Sequence, residues 1–187
     1  QPAYFEYLLT KFSTPEELFG PLSLSALKQD RFQRNTQGYL PTVQVAFLDE
    51  IFKASSSILN SLLTILNERK FHNGTEALDV PLQTLVAASN ELPRGQPELA
   101  ALYDRFLVRL HVDYMKPEDR QKLFEPLSAG AVAEKDKLTV AELADLQRQA
   151  AAVVFPAEIQ QAVREIWQGH QELFKEHAEE RLSDRRF

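Results

Sequence analysis

The stretch Val43-Gln-Val-Ala-Phe-Leu-Asp-Glu50 decides how the rest of the chain reads. Its apolar run, Val45, Ala46, Phe47 and Leu48, suits a central strand of a parallel sheet covered on both faces. Asp49 and Glu50 then fall where the strand ends, and in open α/β sheets ligands bind beyond the carboxyl ends of the strands. Two consecutive carboxylates there are placed for a phosphate and its metal. Further on, Thr84-Leu-Val-Ala-Ala-Ser-Asn90 is a second apolar run closed by a polar group. Two neighbouring strands would thus offer Asp49, Glu50 and Asn90 to one crevice.

The 187 residues, 44% hydrophobic and 26% charged, suffice for one core, or one core and a small satellite domain. A net charge of -6 and a pI near 5.3 argue against a general binder of nucleic acid or anionic membrane. No nucleic-acid partner is expected. The absence of cysteine removes disulfides, a thiol nucleophile and thiolate metal sites, and agrees with a cytoplasmic location. No apolar run approaches the roughly 18 to 20 residues that span a bilayer, so membrane insertion is not expected. The chain opens on Gln1 and runs almost at once into strand-like Tyr4 to Thr10, which reads as part of a longer protein.

Thr14, Pro15 and Glu17 form a helix start with a capping box, and Gly20-Pro21 ends that helix. Leu22 to Pro41 reads as a short helix or a hairpin. From Ser55 to Arg69, Ile58, Leu59, Leu62, Leu63 and Leu66 recur at helical spacing, with Ser55 or Ser56 available as cap. Asn73-Gly74 predicts a hairpin joining two brief strands. Glu98 to Tyr103 predicts a short helix and Val108 to Asp113 a further strand. After Lys116 the pattern turns helical: a helix starts at Pro117, Ser128 to Lys137 is a flexible segment, Thr139 to Glu142 is a second capping box, Val153 to Pro156 interrupts the helices, and a long helix runs through Ile166 to Leu182. Residues 1–115 read as an incomplete α/β subdomain and 116–187 as a small helical lid.

With these motifs in hand, the sequence resembles the AAA+ ATPases of the MoxR family, most closely their RavA-like branch. Asp49 and Glu50 match the family's Walker B motif, Asn90 its sensor 1, and Leu102-Tyr-Asp-Arg-Phe106 the segment that carries its arginine finger. The resemblance implies a partial AAA+ P-loop NTPase core, a parallel sheet with flanking helices, followed by an all-helical lid. It implies ATP and Mg²⁺ as cofactors. It also implies self-association into a ring, expected to be a hexamer, that remodels or assembles a protein client, often one with a von Willebrand factor A domain. The segment Leu22 to Pro41 matches the insert that faces the pore of such rings.

Phosphoryl transfer from ATP needs a metal to neutralise phosphate charge, a group to orient water, and cations for the charge of the transition state. By the resemblance, Asp49 binds Mg²⁺ through coordinated water, Glu50 is the general base and Asn90 holds the water or a γ-phosphate oxygen. Arg105 is the finger, offered to the site of a neighbouring subunit, with Arg109 as second candidate. Arg185 matches the sensor 2 arginine, and a one-residue shift would give that role to Arg186. The family's phosphate cradle, G-x-x-x-x-G-K-[ST], is not in this sequence; the resemblance places it upstream of Gln1, so this segment alone is expected to be inactive.

The plain readings stand beside these. A D-E pair often ends a strand as a solvated turn, Arg105 could pair with Asp104 or Glu98 on a helix surface, and Arg185 could lie in a solvated basic tail. His72, His111, His170 and His177 lack metal-ligand spacing. Trp167 and the aromatic first strand read as core, and Ser55-Ser-Ser57 lacks the context of a nucleophile elbow. The alternative to an ATPase is a non-catalytic AAA+-like scaffold or interaction module, or a related ring ATPase such as a chelatase subunit.

Overall fold

A computed structural model describes residues 3–93, 97–114 and 137–175. The chain divides into two compact units, 1–108 and 109–187. The first is built on a three-stranded parallel sheet in the order β1, β2, β5, formed by Tyr4–Leu8, Val45–Asp49 and Thr84–Ala87. β2 is central, with Leu8 beside Asp49 on one flank and Leu48 beside Ala87 on the other. The opening stretch is therefore the middle of the sheet, as its apolar run predicts.

Cover on both faces is not what the described residues provide. Ala46 and Leu48 are fully buried, while Val45, Phe47 and Asp49 on the opposite face are half-buried. The covered face meets helix α3, Ser56–Glu68, whose Ile58, Leu59, Leu62 and Ile65 are buried at one-face spacing. Leu63 and Leu66 flank that stripe instead of leading it. α1, Pro15–Phe19, adds Leu18 and Phe19, and its start is held by the Thr14 N–H donating to Glu17 Oε2 at 2.7 Å. Leu40, Val43, Ile51 and Leu102 complete the densest part of the core.

Both readings of the Leu22 to Pro41 segment are realised. An antiparallel bridge between Leu22 and Arg34 encloses the single-turn helix α2, Leu24–Leu27. The second hairpin pairs β3, Lys70–Asn73, with β4, Glu76–Asp79. Its turn is Gly74-Thr75, with the positive φ of 68° on Gly74, as in a II′ connection. Asn73 thus stays in the strand, where its side chain is free for another task.

α4, Pro97–Tyr103, is the short helix expected after Asn90. Val108 to Asp113 is not a strand. The alternation of Val108, Leu110 and Val112 with charged residues has the right period, but no strand among the described residues pairs with it. Without a ladder its backbone groups gain nothing from extension.

In the second unit, α5, Val140–Ala151, starts on Thr139, whose Oγ1 accepts the Glu142 N–H at 3.2 Å while Glu142 Oε2 accepts the Thr139 N–H at 2.7 Å. α6 runs over Ala157–Leu173. It begins earlier than the Ile166 to Leu182 expectation because Pro156, with Glu158 in the first turn, makes a start signal. The helix expected from Pro117 and the flexible segment up to residue 136 lie outside the described residues, as does everything after Lys175. No helix of the described residues is long and apolar enough to cross a membrane.

Candidate functional site

Beyond the carboxyl end of β2 the backbone is tied to both neighbouring strands. Leu9 N–H donates to Asp49 O at 2.9 Å, and Ala88 N–H and Leu48 O, then Ile51 N–H and Ala88 O, meet at 3.0 and 3.1 Å. These bonds fix where the two carboxylates start. Asp49 turns one oxygen, Oδ1, back to accept the Glu50 N–H at 2.8 Å. Glu50 itself sits in the left-handed region, at φ 53° and ψ 43°. A residue with a Cβ adopts that conformation at a cost, and such positions concentrate at functional sites. The 3₁₀ turn Ile51–Lys53 follows, pinned by the buried Ile51.

The bend aims the Glu50 carboxylate inward, where the residue is only 9% exposed. Oε1 accepts from Asn90 Nδ2 at 2.8 Å and faces Lys53 Nζ at 3.3 Å. Oε2 is buried and has no hydrogen-bond partner among the described residues. A buried carboxylate is costly unless paired and hydrogen-bonded, so a hydrogen bond and a nearby cation on one oxygen and neither on the other is an unequal arrangement. Such an oxygen is a ready acceptor for a water proton or a ligand group. Asn90, forty residues on in sequence, thus meets the Asp49-Glu50 pair at one locus.

The oxygen donors suit a hard divalent cation. Mg²⁺ is held by one or two carboxylates and keeps several waters, a demand that the Asp49 carboxylate at the end of β2 fits. Among the described residues no cluster of three or more His, Cys, Asp or Glu could cage a metal outright.

Arg105 lies elsewhere. Its Nε donates to Asn67 Oδ1 and its Nη1 to Ala101 O at 3.2 Å. Asn67 is near the far end of α3, and eleven helical steps carry it roughly 16 Å along the axis from Ser56, the residue that opens the helix after the Glu50 turn. Leu102, fully buried, anchors the helix end that presents Arg105. Arg109 falls in the segment without regular structure, and Arg185 and Arg186 lie outside the described residues. Phe5 and Tyr7, partly buried, stack on each other against the core, whereas Tyr4 is exposed, so only one face of the aromatic strand is core as expected; Ser55 precedes α3 as its N-terminal cap residue.

Three participants escape the sequence reading: Lys53 at Glu50, Asn67 at Arg105, and Asn73. Asn73 Oδ1 accepts the Arg34 N–H at 2.6 Å and its Nδ2 donates to Arg34 O at 3.1 Å, locking the two hairpins together. Only Lys53 left a signal, a cation three residues past the glutamate in a turn.

Residues 1–152 match the family profile described as the MoxR domain in the MoxR-vWA-beta-propeller ternary systems. The chain belongs to this family. Two uncharacterized proteins of Methanocaldococcus jannaschii are each 63% identical to this MoxR domain over 107 residues, which is 57% of the chain and 28% of either relative. Chaperone MoxR1 of Mycobacterium tuberculosis is 29% identical over 106 residues, 55% of the chain and 28% of its own length. The matched segment thus spans less than a third of these relatives. A crystal structure of a candidate ATPase from Cytophaga hutchinsonii shares the fold, with a TM-score of 0.62 and 16% identity, covering 95% of this chain and 55% of the other. The architecture is accordingly that of a MoxR-type AAA+ protein, a parallel sheet with flanking helices followed by further helices.

Proposed function

We propose that the complete protein carrying this MoxR domain hydrolyses ATP, with Glu50 as general base. The observation that carries the reading is the Glu50 carboxylate, one oxygen held by Asn90 and the other buried and unpartnered. Water attacks the γ-phosphorus as its proton passes to Glu50 Oε2, and the bond from phosphorus to the ADP oxygen breaks to release ADP and inorganic phosphate. Asn90 fixes the carboxylate and can hold the water or a γ-phosphate oxygen. Asp49 would hold Mg²⁺ through water, and that ion supplies neutralisation of phosphate charge when bound.

Arg105 is read as an arginine finger serving a neighbouring subunit. Its anchorage on Asn67, at the far end of α3 from Glu50, supports action in trans over action on its own site. The reading then requires a ring, which we take to be a hexamer, and Arg185 as the sensor 2 arginine of a lid formed by residues 116–187, with 1–115 as the core. The family description names a vWA protein in the same system, which supports a von Willebrand factor A domain protein as partner in client remodelling. The RavA-like branch is retained as part of this proposal.

The test is steady-state ATP turnover of the complete protein. Glu50→Gln should lower kcat by about 10² to 10⁴ while leaving ATP binding intact, the usual contribution of a positioned base. Arg105→Ala should be equally slow alone, and mixing it with Glu50→Gln should restore turnover if the two residues meet across subunits. Wild-type turnover in Glu50→Gln would overturn the Glu50 assignment, and no turnover in the wild-type complete protein would leave a non-catalytic scaffold.

A further inference from the structure

Resting on the hydrolysis reading above, we infer that Lys53 is a positioning residue for the base: with Asn90 it holds Glu50 Oε1 and so leaves Oε2 as the single oxygen that takes the water proton. The geometry comes from the 3₁₀ turn. Residues i and i+3 eclipse in such a turn, and Lys53 N–H closes it by donating to Glu50 O at 2.9 Å. That places the Lys53 side chain directly over Glu50, with Nζ 3.3 Å from Oε1. The turn cannot drift, because Ile51 is buried at its start and its N–H is bonded to Ala88 O.

Stability is a poor reason for the contact. The Lys53 side chain is 32% exposed, and ion pairs that reach water contribute roughly 0 to 1 kcal/mol. Orientation is the better one. A carboxylate held by Asn90 alone is free to swing about its last torsion and exchange its oxygens, since that torsion is broad and two-fold. The Asn90 hydrogen bond and the Lys53 ammonium, both directed at Oε1, favour one orientation of the group and assign each oxygen a task. The ammonium also offsets the charge of the Glu50 carboxylate. A base held within its reactive geometry matters because small misplacements cost large factors in rate.

The experiment uses the complete protein and ATP turnover, with melting temperature as a check on folding. Lys53→Met should lower kcat about tenfold or more, a part of what a positioned base contributes, with KM for ATP and melting temperature unchanged. Lys53→Arg should recover most of the loss. Because Lys53 acts through Glu50, the double variant Lys53→Met, Glu50→Gln should be no slower than Glu50→Gln alone. Losses that multiply in the double variant, a raised KM in place of a lowered kcat, or wild-type kcat in Lys53→Met would each overturn the role. Slow Glu50→Gln with normal Lys53→Met overturns only this inference, whereas normal Glu50→Gln overturns the assignment of Glu50 as base beneath it.

Discussion

Alternate residues of β2 occupy different worlds. Ala46 and Leu48 are fully buried against the core, while Val45, Phe47 and Asp49, one residue out of phase, stay half-open. The flanking strands repeat the contrast: Phe5, Tyr7, Leu85 and Ala87 pack on the core, whereas Tyr4, Leu8 and Val86 are each more than half exposed. The pleat makes this split inevitable, since successive side chains point to opposite faces. It separates two duties within one strand. The covered face supplies stability, and the carboxyl end, where the strand gives way to a strained glutamate and a short turn, supplies chemistry.

Replacing neighbours on the two faces is the most severe trial of that division. Leu48→Ala empties a fully enclosed site and should cost about 2 to 5 kcal/mol in urea unfolding. Phe47→Ala, although it deletes a larger side chain, should cost less in the same assay, because Phe47 is not fully enclosed. Equal costs would mean that the open face is covered in solution. Neither substitution touches the Glu50 cluster, so a catalytic comparison with Glu50→Gln separates the two duties cleanly: the glutamine variant should melt near wild type.

A smaller effect tests whether the covered side depends on apolar burial alone. Asn73 is 7% exposed and satisfies both backbone groups of Arg34. Asn73→Ala would leave a part-buried N–H and C=O without these bonds, at a cost of about 1 to 3 kcal/mol. The same approach leaves no room at Gly74, where an added Cβ would lie 2.3 Å from Phe32 O. If Asn73→Ala is neutral by urea titration, the hairpins are joined by packing and the polar clamp is redundant.

The sheet was legible in the sequence because each strand carries its own pattern. Val45 to Leu48 and Thr84 to Ala88 announce themselves as apolar runs, and the capping boxes at Thr14 and Thr139 mark helix starts within a residue. Asp49, Glu50 and Asn90 could be joined on paper because strand ends in a parallel sheet face one crevice. What stayed hidden depends on geometry that no period encodes. One-sided cover of β2 is invisible in a run that is apolar at every position. Val108 to Asp113 alternates like a strand yet has no paired neighbour among the described residues. Lys53 reaches Glu50 only because a left-handed residue and a 3₁₀ turn fold it back, and Asn73 serves Arg34 only because Gly74-Thr75, not Asn73-Gly74, makes the turn.

The mildest trial lies on the water-facing side of the molecule. Arg34 Nη1 lies 2.9 Å from Glu16 Oε1, with the glutamate side chain 44% exposed. The hydrogen bond from Arg34, aided by one from the backbone of Glu16 itself, holds this carboxyl below its ordinary range. A carboxylate whose folded pKa is depressed adds stability that is fully present above its unfolded value, about 4.3, and is lost as pH falls through the folded one. Glu16→Gln should therefore be less stable than wild type near neutral pH, and the gap should close on acidification below that value. Solvent screening keeps the gap to a fraction of about 1 kcal/mol, and salt should shrink it further. A gap that persists unchanged in strong acid would show that Glu16 holds α1 by shape and not by charge, moving this contact from the open, electrostatic side of the comparison to the packed one.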